Sequence, residues 1–199
     1  MYDWRKMSQE QRIEVLKFRK QQRIPWHGPP HWEYTGPVTF LVTAACYEHA
    51  PIIGQSVERI TACEQELLQI CQKMDVTVFA WCVLPNHYHL LIRTDQIEMF
   101  RQYLGKFHGR SSYQWNLEDK MRGRKVWHRC VDRAMKSDGH FWASLNYIHH
   151  NPVRHGYVTR WQDWPYSSAT SFLEKVGREK GVEIWEEYPI LHYGEGWDE

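Results

Sequence analysis

Several things are scarce in this 199-residue chain. No apolar run approaches the roughly 18 residues that a bilayer-spanning helix requires. The first residues, MYDWRKMSQEQ, lack the apolar core of a signal peptide, so the expected setting is cytoplasmic. The five cysteines, Cys46, Cys63, Cys71, Cys82 and Cys130, are odd in number and none falls in a CxxC pair. That argues against a disulfide framework or a zinc knuckle and for buried reduced thiols. Net charge is also small, at +1, so the whole molecule is not a polycation. No internal repeat or low-complexity segment is visible.

The charge present is unevenly placed. Arg101 to Lys136 holds ten Lys/Arg against three acids, Glu118, Asp119 and Asp132. Residues 172–199 hold three Lys/Arg against eight Asp/Glu, a net charge of −5. A basic middle before an acidic end fits two solvated faces, or a polyanion-binding groove with a tail able to compete for it. Three segments are expected: a helical arm and Pro-rich linker over 1–37, a main domain over 38–171, and an acidic tail over 172–199.

In the arm, Ser8 followed by Gln11 is a capping-box pattern opening a helix over 8–24, with Ile13, Leu16 and Lys20 at helical spacing. PWHGPPHWEYTGP (25–37) carries four prolines and two glycines and reads as linker. The domain then alternates. VTFLVTAACYE (38–48) is a strand by its β-branched, apolar content. Residues 56–75 form an amphipathic helix with Ile60, Cys63, Leu67, Ile70 and Cys71 on one stripe. VTVFAWCVLP (76–85) and HYHLLIRT (87–94) are strands joined at Pro85-Asn86. Helix over 97–114 and strand over 125–135 follow. A last helix over 139–150 is expected to stop at Asn151-Pro152, because a residue before proline disfavours helical φ/ψ. The order β-α-β-β-α-β plus a helix predicts an α+β fold of the ferredoxin-like, split βαβ kind, an antiparallel sheet with helices on one face.

Two clusters carry chemistry. In a strand, His87 and His89 point to one face and Tyr88 to the other. Paired imidazoles suit a divalent metal, although a solvated strand end would read the same. In LNYIHHNPVRHGYV (145–158), Tyr147 and Asn151 lie four apart on one helix face. A tyrosine hydroxyl is a possible nucleophile and an Asn carbonyl oxygen a neutral ligand, or else Tyr147 is a half-buried core residue and Asn151 a helix stop. Lys106 and Arg110 on one helix, and Lys120, Arg122, Arg124 and Lys125 in the next loop, are candidate phosphate contacts. The tryptophans Trp81, Trp115, Trp127, Trp142, Trp161 and Trp164 are split between core packing and base stacking.

LPNHYHLLI, YIHHNPVRHG and DWPYSS (163–168), in that order, resemble the REP-associated tyrosine transposases, single-tyrosine members of the His-hydrophobic-His nuclease superfamily and of the IS200-like transposases. The resemblance runs from about Val38 to Ser168, and the arm also resembles the N-terminal extension of some members. It implies that His87 and His89 bind metal, with Asn151 the third ligand and His150 a competitor. It implies that Tyr147 is the nucleophile. Tyr88, an aromatic middle residue, departs mildly from an aliphatic one. The implied cofactor is Mg2+ or Mn2+. The implied partner is single-stranded DNA folded as REP-like hairpins, cut through a 5′-phosphotyrosine. The implied protein is bacterial, gathers at the nucleoid when bound to DNA, and is monomeric, with a dimer as the alternative. The rival readings are a non-catalytic hairpin-binding module of the same fold, and a replication initiator or relaxase. A two-histidine phosphoesterase would need two H-x-T/S motifs, and only one H-x-H is present.

Overall fold

The computed structural model describes residues 36–194, together with Ser8–Gln11, Ile13, Glu14 and Lys17. The chain divides into compact units of residues 1–34 and 35–199. In the first, the capping box forms as expected. The Gln11 amide donates to Ser8 Oγ at 3.2 Å, and the Ser8 amide donates to Gln11 Oε1 at 2.9 Å. Leu16 and Lys20 of the expected arm helix, and the linker before Gly36, lie outside the described residues.

In the second unit the elements are β1 (Val38–Cys46), α1 (Val57–Lys73), β2 (Thr77–Val83), β3 (His87–Thr94), α2 (Ile97–Glu118), β4 (Trp127–Ala134), α3 (Asp138–Arg154), α4 (Ala169–Val176) and α5 (Arg178–Glu187). The sheet is antiparallel in the order β2-β3-β1-β4. This is the ferredoxin-like plan predicted from the element order.

β3 is covered on both faces, so seven of its eight residues are buried, all but Arg93. Its even positions, Tyr88, Leu90 and Ile92, join Phe40, Val42 and the buried stripes of α1 and α2 in one core. Leu91 joins Leu41, Ala80, Cys82 and the buried face of α3 (Leu145, Tyr147, Ile148) in a second core on the opposite face. Burying each such aliphatic side chain contributes roughly 1.5–3 kcal/mol. On the first face, buried Arg59 of α1 binds Glu118 at 2.7 Å and Asp119 at 2.8 Å. Arg124 closes on Asp119 at 2.6 Å. The two guanidiniums pull the Asp119 carboxyl down to about 2, and together they pin the loop between α2 and β4.

α3 overruns the expected stop at Asn151-Pro152 and continues to Arg154 with Pro152 inside it. The preference of a pre-proline residue against helix is outweighed here. Asn151 and Pro152 are both buried, and the helix is closed by its own cap a turn later. Gly156, at φ +73°, donates its amide to Val153 O at 3.0 Å, and Tyr157 donates to Pro152 O at 2.9 Å. This is a Schellman closure. It turns His155 and Tyr157 out at defined positions.

Residues 172–194, set apart above as an acidic tail, fold against α3. Ile184 is buried, and the Asn146 side-chain amide donates to Ile184 O at 3.2 Å and Tyr188 O at 2.8 Å. DWPYSS lies along the open edge of β2. Val83 N donates to Tyr166 O at 2.9 Å, and Ser168 N to Trp81 O at 3.0 Å. That satisfies ladder groups an edge strand would leave exposed.

A side chain at position 156 meets nothing within 4 Å, so Gly156→Ala is a purely conformational change. Holding alanine at positive φ costs about 1–2 kcal/mol. The urea midpoint should fall accordingly with the m-value unchanged, and an unshifted midpoint would rule out the left-handed cap.

Candidate metal and nucleophile site

β3 and α3 meet over the pair of histidines. His87 and His89 project from β3 towards α3 with ring centroids 4.9 Å apart. From α3, Asn151 Oδ1 lies 2.8 Å from His87 Nε2, and the Tyr147 ring packs edge-on to His89 at 5.2 Å. Residues 64 apart in sequence for one contact, and in two different elements, become neighbours because α3 lies across β2 and β3. His87, His89, Tyr147 and Asn151 are all at or near zero exposure.

The partners of the two imidazoles decide which nitrogen each presents. Asn86 Oδ1 faces His87 Nδ1 at 2.7 Å. Thr43, the β1 residue paired with His89 in the ladder, places Oγ1 2.7 Å from His89 Nδ1. An outer partner on one ring nitrogen fixes tautomer and orientation and leaves the other as a lone pair. Neutral imidazole has a single N–H. Donated from His87 Nδ1 to Asn86, it leaves Nε2 facing Asn151 Oδ1, acceptor against acceptor. Asn151 Nδ2 is buried without a hydrogen-bond partner. Turning the amide over would let Nδ2 donate to His87 Nε2 but would leave Oδ1 as the buried atom without a donor. A cation held by the two Nε2 atoms and Asn151 Oδ1 removes this conflict, so the donor set fits a divalent metal. Among the described residues, no three His, Cys, Asp or Glu side chains gather in a metal cluster; the group here is two imidazoles and an amide.

Arg154, one further turn along α3, sets its guanidinium 5.7 Å from the centre of the Tyr147 ring. The same Arg donates to Tyr193 O at 3.2 Å. The chain at Tyr193 and Gly194 closes over Tyr147. The rings of Tyr147 and Tyr193 are 5.8 Å apart, and Gly194, at φ +78°, approaches the Tyr147 ring so closely that a Cβ there would collide with it.

The remaining sequence candidates separate. His150 turns to Trp185, 5.0 Å away, rather than to the His87–His89 pair. His149 is fully buried, stacked on Trp161 at 5.7 Å and bonded to Ser168 Oγ at 2.8 Å. Burial pushes its pKa down to about 3, so it stays neutral. Lys106 and Arg110 lie on α2, on the opposite sheet face, over Tyr103 and paired with Glu66 at 2.7 Å respectively. Arg124 belongs to the Asp119 network. Lys120 and Arg122 are exposed in the α2–β4 loop. Lys125, in the same loop, sits 4.2 Å over the Tyr47 ring, at the sheet end where Cys46 N meets Asn86 O. Trp115 and Trp127 are core. Sequence reasoning missed Thr43, Asn86 and Arg154. Asn86 and Arg154 had a signal, since each stands beside a motif residue or at helical spacing from one. Thr43 had none, because only strand pairing brings it to His89.

Comparison with known proteins shows the family and the fold. Residues 40–151 match the family model described as Transposase IS200 like. The chain is 31% identical over 133 residues to a REP-associated tyrosine transposase of Haemophilus influenzae, covering 62% of this chain and 74% of that one. It is similar in fold to a solved REP-associated tyrosine transposase bound to a REP hairpin, with a TM-score of 0.56 and 19% identity over 77% of this chain and 87% of that one. With the matched span running from β1 through the helix that carries Tyr147 and ending on Asn151, the chain belongs to the IS200-like transposase family, among its REP-associated tyrosine transposases.

Proposed function

We propose that this chain is a single-stranded DNA endonuclease and strand transferase that cuts beside REP-type hairpins, with Tyr147 as the nucleophile. The observation that carries the reading is the convergence of Tyr147 and Asn151 on the His87–His89 pair, with both Nδ1 atoms already held. The hairpin as partner is supported by the REP hairpin bound to the similar solved structure.

His87, His89 and Asn151 would hold a divalent cation, Mg2+ or Mn2+. When bound, that ion would polarise the scissile phosphate and, with three neutral ligands, keep its charge for doing so. The chain's own part is the transfer. Tyr147 Oη forms a bond to phosphorus, the bond to the 3′ oxygen breaks, the phenolic proton leaves to water, and the departing 3′ oxygen takes a proton from water. The products are a 5′-phosphotyrosine and a free 3′-hydroxyl. Phosphodiester energy is conserved, so a second 3′-hydroxyl can reverse the step without a nucleotide cofactor. Arg154 beside the ring would favour an arriving phosphate.

A second reading, a hairpin-binding module that does not cut, is favoured by one feature: Tyr147 is 0% exposed beneath Tyr193 and Gly194. Phosphate cannot reach it in that arrangement. A chain ending after Tyr188 keeps α5 and its contacts to Asn146 but loses the cover. It should form covalent product faster than the full chain while binding hairpin equally well. A folded truncation with no gain would favour the module.

Tyr147→Phe should keep fold and hairpin affinity and lose all covalent 5′-linked product. Peptide mapping of a trapped adduct would decide the assignment, because DNA on Tyr157 or Tyr166 would displace Tyr147. For the ligand set, His89→Ala should abolish Mn2+ binding seen by electron paramagnetic resonance. Thr43→Val, which removes only the outer partner, should weaken it by about tenfold. Unchanged Mn2+ affinity in both would refute the proposed ligands.

A further inference from the structure

A row of rings leaves the His87–His89 site and reaches solvent at Tyr157. His155 packs against His87 at 5.0 Å. Tyr157 follows at 6.4 Å from His155, tilted 31°. Trp164 follows at 5.4 Å from Tyr157, tilted 33°. Tyr166 stands edge-on to Trp164 at 5.8 Å. Tyr157 is 40% exposed. We propose that Tyr157 and Trp164 form a stacking platform for unpaired bases of the DNA strand entering the Tyr147 site, an inference that rests on the nuclease reading above.

Three features of the molecule support that occupant. First, both rings are held in place before any ligand arrives. The Tyr157 backbone is fixed by the Schellman closure at Gly156, through its amide bond to Pro152 O at 2.9 Å. Trp164 is pinned by its indole N–H to Val83 O, also at 2.9 Å. A rigid exposed aromatic costs little conformational entropy on binding. Second, the tilt between the two rings is shallow, so a flat partner can extend the stack; every base has a π-face, and sequence need not matter. Third, the chain from Gly139 to Gln162 contains no acid while carrying Arg154 and Arg160. Asp163 ends this stretch and is itself taken up by Arg160 at 2.8 and 2.9 Å. A backbone of phosphates lying along this stretch therefore meets no uncompensated carboxylate contributed by it. Continuity is the remaining point: the platform joins the proposed metal ligands through a single ring, His155, so a strand whose phosphate lies at Tyr147 has its neighbouring bases within reach of Tyr157. Packing alone would account for Trp164, which is half-buried, but not for an exposed Tyr157 laid over it.

The test uses the full chain and the chain ending after Tyr188, with a DNA hairpin bearing an unpaired flank in which 2-aminopurine occupies each flank position in turn. Wild-type protein should quench the probe at one or two positions next to the cut. Tyr157→Phe should quench as wild type does, since it keeps the ring. Tyr157→Leu should lose the quenching and weaken binding of the flanked hairpin by about tenfold, while a hairpin without flank binds all three proteins equally. As a check that needs no variant, 5-iodouracil at the quenched position should crosslink on illumination to Tyr157 or Trp164. Quenching that survives in Tyr157→Leu, or light-dependent crosslinks that map elsewhere, would overturn the platform. If wild-type protein still forms the covalent adduct in that case, the nuclease reading stands without it. Absence of any adduct from either form of the chain would instead bring down the nuclease reading itself.

Discussion

The site depends on the pairing register between β1 and β3. Thr43 lies opposite His89 and Ala45 opposite His87. A slip of one residue would turn both imidazoles into the core under α1 and α2 and send Tyr88 to the face covered by α3. The register is held from both sides. Tyr88 is fully buried with its hydroxyl 2.9 Å from His108 Nε2, and burial drives the His108 pKa down to about 4, keeping that ring neutral. The aromatic middle residue thus works as an anchor, tying the strand to α2 while its neighbours face the other way.

α3 supplies the rest through helical periodicity. Tyr147, Asn151 and Arg154 fall on one face, at spacings of four and three, and the Gly156 closure then delivers His155 and Tyr157 just beyond the helix end. On the opposite side of the same helix, His149 bonds to Ser168, whose Oγ also accepts from Trp81 N at 2.9 Å. That link fixes α3 relative to β2. The DWPYSS segment therefore serves the site indirectly: it closes the sheet edge, clamps α3, and holds Trp164 in place.

The C-terminal segment adds a constraint of another kind. α4 and α5 complete the core over α3, and Tyr193 and Gly194 beyond them lie across Tyr147. Glycine at 194 permits that closeness, since any side chain would strike the phenol ring. The Tyr147 ring is thereby closed off from solvent. The acidic residues of this region are carried mainly on α4 and α5.

The amino-acid sequence by itself determined the element order, the alternation that puts His87 and His89 together, and the four-residue step from Tyr147 to Asn151. These are local periodicities, readable wherever one strand or one helix decides who shares a face. It also determined the Ser8–Gln11 cap, for the same reason. The tertiary structure alone decided which long-range neighbours complete the site. Thr43 reaches His89 only through strand pairing, and His150 leaves the site because its helix position aims it at Trp185. The phosphate candidates on α2 fall on the far sheet face because α2 packs there, a fact that clustering of charge along the chain does not encode. The helix end moved from Asn151 to Arg154 because burial and a glycine cap outweighed a local backbone preference, which is how packing commonly overrides propensity when the two disagree.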